Sequence, residues 1–201
     1  ARRSKWMSRS VIAPQSAIGS RLRTGSQYSD PYRMTWIRFS SFSVCPSVHM
    51  MGTMAAARTK RLRIGTAVSL APFYNPLRLA EEICMLDQAS RGRFLLGIGK
   101  GISPIEVGYY GIDYKNADKM FAESFAIIMQ ALTQKSVTFK GEFFDFKDVP
   151  MELSPYQQPH PPLWYGVVSP DSAARAAVQK MNIIANVPAP VFAAMSDAYR
   201  K

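Results

Sequence analysis

The stretch LDQASRGRFLLGIGKG, residues 86–101, constrains the fold of this chain more than any other. It is typical of a helix end, a turn and a buried strand that closes on Gly97, Gly99 and Gly101 with Lys100 among them. A dinucleotide-binding loop requires GxGxxG that opens directly into a helix, whereas this spacing is GxGxG and a loop-like segment follows it. A phosphate-binding P-loop requires GxxxxGK and then Ser or Thr, but Lys100 is followed by glycine. Both nucleotide motifs are therefore excluded.

A strand of a barrel explains the same stretch better. Glycines at the carboxyl end of such a strand let a ligand approach the backbone, and a lysine there can face an anionic group. A solvated loop lysine is the alternative for Lys100, and the sequence leaves both interpretations open.

Further short apolar runs typical of buried strands occur beyond about residue 47. They occupy residues 62–70, 94–98, 163–168 and 181–187. Near-continuous apolar strands indicate a parallel sheet that is covered on both faces. Because helical segments lie between these runs, we predict βα units joined by right-handed crossovers.

Caps and apolar spacing predict four helices. Asn75 and Pro76 suit an N-cap and a first helical position, and Leu79, Ile83 and Leu86 follow at helical spacing. The third helix is expected to begin at Ser169–Pro170, and the fourth is expected within residues 188–201.

Asn116 is expected to cap the second helix. The apolar stripe predicted for that helix consists of Phe121, Phe125, Ile128 and Leu132. After this helix, residues 134–162 are too long for a simple connection. Their alternating pattern predicts a small hairpin followed by a proline-rich return, and insertions of this kind commonly shape the mouth of a site or a lid over it.

The net charge of +11 is concentrated at the start of the chain. Residues 1–38 hold eight Arg or Lys and one acid, whereas the other 163 residues hold 17 basic and 13 acidic groups. The segment 1–38 is typical of a nucleic-acid-binding arm, an organelle transit peptide or an atypical basic leader that is disordered or non-native. We favour the leader, and we expect no nucleic-acid partner.

The remaining composition indicates an ordinary globular protein. Cys45 and Cys84 form neither a CxxC pair nor a metal-ligand spacing, so we expect reduced thiols, a cytoplasmic location and no metal site. No apolar run reaches the ~20 residues that a bilayer crossing needs, so we expect no membrane span.

Four segments together resemble the bacterial luciferase-like, flavin-dependent monooxygenase family. They are AARTKRLRIGTAV, NPLRLAEEICMLDQASRGRFLLGIGKG, NADKMFAESFAIIMQAL and PPLWYGVVSPDSAARAA. The LDxxSxGR link followed by GxGxG is the most specific of these features. The resemblance covers roughly residues 39–199 and implies an α/β fold, a partial TIM (β/α)8 barrel with a small hairpin insertion. Residues 39–201 would supply about strands three to six of that barrel.

The resemblance also implies a set of flavin-binding residues. A non-prolyl cis peptide at Ala67–Val68 would lie under the flavin ring, and Lys100 and Lys119 match basic positions near the flavin phosphate. Ser169 and Ser172 match a phosphate-binding turn. A helix N-terminus offers free N–H groups and a partial positive charge to a phosphate, although plain N-capping by Ser169 explains the same residues. The complete set is Ala67, Val68, Gly99, Lys100, Lys119, Val168, Ser169 and Ser172.

The activity that the resemblance implies is oxygenation of a small organic substrate by reduced FMN and O2. Reduced flavin would come from a separate flavin reductase, and intact relatives are expected to be dimers. Some members of the family use the deazaflavin F420 instead and transfer a hydride without oxygen.

The chain departs from the family in one place that matters for catalysis. The family has a Glu-His-His-Phe motif at the end of its second strand, where this chain has Trp36, Ile37, Arg38 and Phe39. His49 and His160 are expected to be structural or solvated, so the catalytic residues remain unassigned. We therefore expect a truncated family member whose leader was read in the wrong frame. A non-catalytic flavin-binding or partner subunit is the alternative function.

Overall fold

The computed structural model describes residues 34–37 and 48–200. Its strands are β1 (Met34–Ile37), β2 (Arg63–Thr66), β3 (Ser69–Leu70), β4 (Phe94–Gly99), β5 (Ser136–Lys140), β6 (Asp145–Pro150), β7 (Leu163–Gly166) and β8 (Asn182–Ile184). Its helices are α1 (Val48–Arg58), α2 (Pro76–Ser90), α3 (Pro104–Tyr109), α4 (Ala117–Thr133), α5 (Pro170–Val178) and α6 (Ala189–Arg200).

The main sheet is parallel and follows the chain. Its order is β1-β2-β4-β7-β8, and β3 pairs with the end of β4. Helix α1 connects β1 to β2, α2 connects β3 to β4, and α5 connects β7 to β8. Parallel strands in sequence order with a helix in each crossover are the arrangement of part of a (β/α)8 barrel. The α/β prediction is therefore confirmed.

Strand β4 lies at the centre of the sheet, and all six of its residues are buried. The side chains of Phe94, Leu96 and Ile98 belong to the hydrophobic core. Leu79, Ile83 and Leu86 of α2 are fully buried in the same core, as their helical spacing predicts. The side chain of Asn75 caps α2, because its Oδ1 accepts hydrogen bonds from the backbone N–H groups of the first turn.

Helix α4 differs from its prediction at both cap and stripe. Asn116 occupies the N-cap position, but its side chain makes no capping hydrogen bond. Ile128 and Leu132 are buried as predicted, whereas Phe121 and Phe125 are only partly buried and pack against the edge of the core. Phe121 and Phe125 lie at the edge of the buried face of α4. A large aromatic ring in that position can cover core atoms and still remain partly exposed.

The run 62–70 is two strands rather than one. Strands β2 and β3 are separated at Ala67–Val68, where the peptide bond is cis, and β3 then pairs with the far end of β4. Periodicity could not detect the interruption because apolar residues continue through it.

Three further elements were missing from the sequence prediction, and one of them is helix α3, which lies in the segment expected to be loop-like. Helix α1 was not predicted, and its mixture of Met, Ala and Gly carries no strong apolar stripe. Strand β1 lies inside the segment 1–38, yet it pairs with β2 from Met34 to Ile37. Strand β1 therefore lies before the predicted division after residue 38, and the division itself stays a prediction. The rest of the leader and Cys45 lie outside the described residues.

The predicted hairpin is confirmed as the antiparallel pair β5–β6. Its turn is anchored to α4, because the backbone N–H groups of Glu142 and Phe143 donate to the carboxylate of Glu123 at 2.7 and 3.0 Å. In the part of the chain that the structure describes, no helix has both the length and the apolar character needed to cross a membrane.

Candidate functional site

The carboxyl ends of β2, β4 and β7 meet at one edge of the parallel sheet, which we call the C-terminal edge. Thr66 Oγ1 donates to the carbonyl of Gly97 at 2.7 Å and accepts from the Gly97 N–H at 3.0 Å. A Cβ on Gly97 would lie only 1.7 Å from the carbonyl oxygen of Thr66. Gly97 is therefore required by the approach of the protein's own backbone, not by the approach of a ligand.

Ala67 and Val68, which follow β2, lie against the glycines of the neighbouring strands. The Ala67–Val68 peptide is cis, as the resemblance implies. A Cβ on Gly99 would lie 2.8 Å from Val68 Cγ2, and one on Gly166 would lie 3.4 Å from the same atom. The structure thus brings Val68 and Gly99 into contact, and Val68 remains partly exposed at the C-terminal edge.

Lys100 begins the loop after β4 and is mostly enclosed, with 23% of its side chain exposed. Its Nζ lies 2.7 Å from Asp118 Oδ2, and it sits over the ring of Tyr114 at 5.7 Å from the centroid. Asp118 is 73% exposed, so this ion pair lies at the surface. A surface pair of this kind contributes about 0–1 kcal/mol and can open to exchange partners.

Lys119 lies one residue beyond Asp118 at the start of α4. Its Nζ contacts Glu142 Oε2 of the hairpin turn at 3.0 Å, and both side chains are more than half exposed. This contact places the tip of the hairpin beside the start of α4, where Glu123 also holds it. That the insertion shapes the mouth of a site stays a prediction.

Ser169 and Ser172 form a reciprocal capping box at the start of α5. The Ser172 N–H donates to Ser169 Oγ at 3.2 Å, while the N–H groups of Val168 and Ser169 donate to Ser172 Oγ. Ser172 is buried. The capping role is therefore present in the structure, and the phosphate role remains a prediction.

Tyr165 is a candidate site residue that the sequence analysis missed. Burial raises the pKa of its hydroxyl, while the positive charges of Arg175 and Lys100 act in the opposite direction. The negative charge of Asp118 acts in the same direction as burial, so both members of the Lys100–Asp118 pair influence this half-buried hydroxyl. Its position before GVVSPDS was the available signal, because a residue at the end of a barrel strand lies close to the loops that form the site.

The opposite end of β4 is built differently, although it contains the most specific part of the motif. Asp87 is fully buried and accepts from the backbone N–H and the side-chain amide of Gln157, each at 2.8 Å. The same amide donates to the carbonyl of Phe94 at 2.9 Å. These bonds fix the proline-rich return segment on the amino end of the strand.

Arg93 completes this structural end. Its Nε donates to the carbonyl of Ser90 at 2.7 Å. Its two Nη groups donate to the carbonyls of Ala56, Thr59 and Leu62 and to the Thr59 hydroxyl. One guanidinium thus joins the ends of α1 and α2 to the start of β4. We call the set Asp87, Ser90, Arg93 and Gln157 the amino-end clamp.

The remaining predicted positions fall in three groups. Trp36 and Ile37 belong to β1, and Arg38 lies outside the described residues. His160 lines an open cleft of about 480 Å³ beside Leu163 and Asn182, at the amino ends of β7 and β8 and away from the C-terminal edge. Within the described residues, no group of three or more His, Cys, Asp or Glu side chains could hold a metal ion.

Sequence comparison connects this arrangement to known proteins. The family model described as luciferase-like monooxygenase matches residues 25–201. The chain is 39% identical over 169 residues to uncharacterized protein y4wF of Sinorhizobium fredii, covering 84% of this chain and 49% of that protein. It is 31% identical to the oxygenase component of the flavin-dependent trigonelline monooxygenase of Acinetobacter baylyi, covering 71% and 40%. The chain therefore spans about half the length of the curated relatives it matches.

Solved structures share the fold. The oxygenating constituent of 3,6-diketocamphane monooxygenase from Pseudomonas putida, in complex with FMN, superposes with a TM-score of 0.69 at 23% identity over 83% of this chain and 52% of that one. An F420-dependent secondary alcohol dehydrogenase gives a TM-score of 0.68 at 20% identity over 86% and 56%. These likenesses confirm a partial barrel.

Proposed function

Because this chain belongs to the luciferase-like monooxygenase family, we propose that the C-terminal edge of its sheet binds reduced FMN. The observation that carries the proposal is that the enclosed Lys100 and the start of α5 follow two neighbouring paired strands, β4 and β7. We propose further that the intact protein uses reduced flavin and O2 to oxygenate a small organic substrate. The flavin supplies the reaction with oxygen, while the protein binds it, orients it and excludes water.

The residues at this edge suit a phosphate group. Lys100 and Arg175 supply positive charge, and the Tyr165 hydroxyl, whose pKa burial raises, stays protonated at neutral pH and can donate a hydrogen bond. A phosphate would compete with Asp118 for Lys100. The competition is feasible because the Lys100–Asp118 pair is exposed on its acidic side.

A titration of the chain with reduced FMN under anaerobic conditions tests this proposal. Lys100→Met should weaken binding by about tenfold, since one charge-assisted contact is worth ~1.4 kcal/mol or more. Lys119→Met should weaken it less, because its ammonium is more exposed. Lys135→Met is the matched control, because it removes the same charge from an exposed lysine beyond the far end of α4. Equal affinity in all four proteins would contradict the proposal.

A non-catalytic flavin-binding or partner subunit is the second candidate function. The replacement of an acid and two histidines by Trp36, Ile37 and Arg38 favours it, because none of these side chains serves as a general base near neutral pH. Oxygen uptake in the presence of reduced FMN and a panel of aldehydes, alkanes and sulfonates separates the two functions. Uptake coupled to substrate oxidation supports the monooxygenase, and binding without coupled oxidation supports the subunit.

F420 is the alternative cofactor, with hydride transfer in place of oxygenation. The likeness to an F420-dependent enzyme is one of fold, so the choice rests on binding. Parallel titrations with reduced FMN and reduced F420 decide it. Tighter binding of F420, with no oxygen uptake, would replace the monooxygenase proposal by a dehydrogenase one.

We also propose a flavin reductase as a partner and a second copy of the chain as a neighbour. The name of the trigonelline relative describes an oxygenase component, which supports a separate supply of reduced flavin.

Helices α1 and α2 pack together and expose Met50, Met51, Met54 and Met85. An apolar surface of this kind is typical of an interface between protein chains. Light scattering of Met50→Lys/Met54→Lys should show a smaller species than the parent, whereas Ile105→Lys on α3 should not.

A further inference from the structure

A buried histidine links the two helices of one face to the strand segment at the candidate site. His49 of α1 is 2% exposed, and its Nε2 lies 3.1 Å from the Oγ of Ser69 in β3. Its Nδ1 lies 3.2 Å from Oε2 of Glu82 in α2, a charge contact whose angle is not that of a hydrogen bond. Glu82 also contacts the exposed Arg78 at 3.5 Å. The result is a chain of polar groups from the surface of α2 to β3.

The carboxylate determines the direction of these contacts. Of the two neutral tautomers, a negative charge beside Nδ1 favours the one with its proton on that nitrogen, in which Nε2 is an acceptor. The Ser69 hydroxyl then donates to Nε2. This bond satisfies the Ser69 hydroxyl and Nε2, whereas Nδ1 has only the charge contact with Glu82.

The order acid, histidine and serine is also that of a hydrolytic triad, but burial excludes that activity. Ser69 is 1% exposed, and the rings of Tyr74 and Phe94 meet the imidazole edge-on at centroid distances of 6.2 and 6.4 Å. No substrate carbonyl can reach the serine in such surroundings. The contacts therefore hold structure rather than perform acyl transfer.

The structure that they hold is next to the proposed flavin site. Ser69 directly follows Val68, and its backbone pairs with Ile98 of β4. Val68 in turn fills the space beside Gly99 and Gly166. A shift of Ser69 would therefore move Val68, which packs closely against Gly99. The packing is close because a Cβ added at Gly99 would lie 2.8 Å from Val68 Cγ2.

We propose that His49 is a positioning residue that acts through Ser69 to hold Val68 against Gly99, and that it thereby sets the affinity for flavin. Only the second half of this proposal, the effect on flavin affinity, rests on the proposed function. The position of Val68 can be measured without any flavin, so the two halves can fail separately.

Nuclear magnetic resonance tests the first half on the full chain. The chain has two histidines, His49 and His160, so nitrogen-15 labelling of histidine gives two ring systems that a His160→Ala variant assigns. We expect the tautomer of the His49 ring that carries its proton on Nδ1. We also expect His49→Phe to shift the Val68 methyl and Gly99 amide resonances, while His49→Gln, which keeps an acceptor for Ser69, restores them. A His49 ring protonated on Nε2 alone, or unchanged Val68 resonances in His49→Phe, would overturn the inference.

Anaerobic titration with reduced FMN tests the second half. His49→Phe should weaken binding about tenfold and His49→Gln about twofold or less, the scale of effect expected when residues supporting a site are lost. Asp87→Asn is the matched control, because it perturbs α2 at the other end of β4 and should leave affinity unchanged. If His49→Phe does not fold, Ser69→Ala replaces it with the same readouts and the same expected direction.

The outcomes separate the two proposals. If the parent chain does not bind FMN or F420, the proposed function fails, and the Val68 resonances alone decide the role of His49. If the parent binds and His49→Phe binds equally well, the effect on flavin affinity is excluded. If Asp87→Asn weakens binding as much as His49→Phe, His49 is a general stabiliser and not a positioning residue.

Discussion

The two ends of strand β4 differ in how their polar groups are used. At the amino end, the clamp residues Asp87 and Arg93 direct their hydrogen bonds to buried or half-buried backbone groups. At the carboxyl end, Lys100 and Lys119 pair with exposed carboxylates. Buried bonds to charged groups contribute more to stability than exposed ion pairs, which exchange readily with solvent or a ligand. One strand thus has an end built for stability and an end at which we propose that a ligand binds.

The comparison explains which part of the motif is most easily recognised. The LDxxSxGR segment is specific because each of its polar residues has a fixed structural partner. The residues of the C-terminal edge depend on neighbours from β2, β7 and α5, so their pattern along the sequence is weaker. A motif can therefore identify a family strongly while lying away from the site proposed for the chemistry.

The largest effect is expected from Gly97→Ala. The new Cβ would meet the backbone carbonyl of Thr66, which cannot rotate away as a side chain can. We expect a loss of about 3 kcal/mol or more in the free energy of unfolding, measured by urea denaturation. The control is Gly108→Ala in α3, where nothing lies within 4 Å of the new Cβ. Equal stability of the two variants would show that β2 and β4 approach less closely than described.

Arg93→Lys should separate stability from binding. Lysine keeps the charge but cannot reproduce the forked contacts to several carbonyls, so we expect a loss of about 2–3 kcal/mol. The affinity for reduced FMN should stay unchanged in the folded fraction, because the guanidinium lies at the amino end. If fully folded Arg93→Lys bound reduced FMN more weakly than the parent, the two ends of β4 would not differ as described.

Ser169→Ala should have a smaller effect on stability and a measurable one on binding. Loss of the capping box costs about 1 kcal/mol. If the start of α5 also binds the phosphate, Ser169→Ala should raise the dissociation constant for reduced FMN. A second capping variant, Asn75→Ala, should raise it less, because that cap lies on α2. An equal response of the two variants would assign Ser169 to capping alone.

The smallest effect is a pH dependence from Cys84 near the middle of α2. Burial, with help from the negative charges of Asp87 and Glu81, raises the pKa of this thiol from 9.0 to about 11. The folded protein therefore holds the thiol proton more tightly than the unfolded chain, so this stabilisation is complete below about pH 9 and falls as the pH rises towards 11. The stability difference between the parent and Cys84→Ala should shrink over that window, and a constant difference in denaturation midpoints would contradict the assignment.

The sequence predicted the elements with strong local signals. The cap at Asn75, the stripe on α2, the hairpin β5–β6 and the helix start at Ser169 are all present in the structure. Each depends on residues within a few positions of one another. The parallel arrangement of the sheet followed from the alternation of those elements.

Features that depend on distant contacts were missed. The purpose of Gly97 could not be read locally, because the atom that excludes a side chain there belongs to Thr66, 31 residues earlier. Tyr165 became a candidate only in the folded structure, because the charges that act on its hydroxyl belong to Lys100 after β4 and Arg175 of α5. His49 was expected to be structural or solvated. It is buried, but its contact with Ser69 of β3 could be recognised only from the folded structure.

Hydrogen exchange of the chain with and without reduced FMN tests the central claim most directly, because it measures both ends of β4 in one experiment. We expect FMN to slow amide exchange in residues 97–101 and 166–172 and to leave residues 87–93 unchanged. Protection centred on residues 87–93, or no protection at the C-terminal edge when FMN is bound, would contradict the assignment of a binding end and a structural end to this strand.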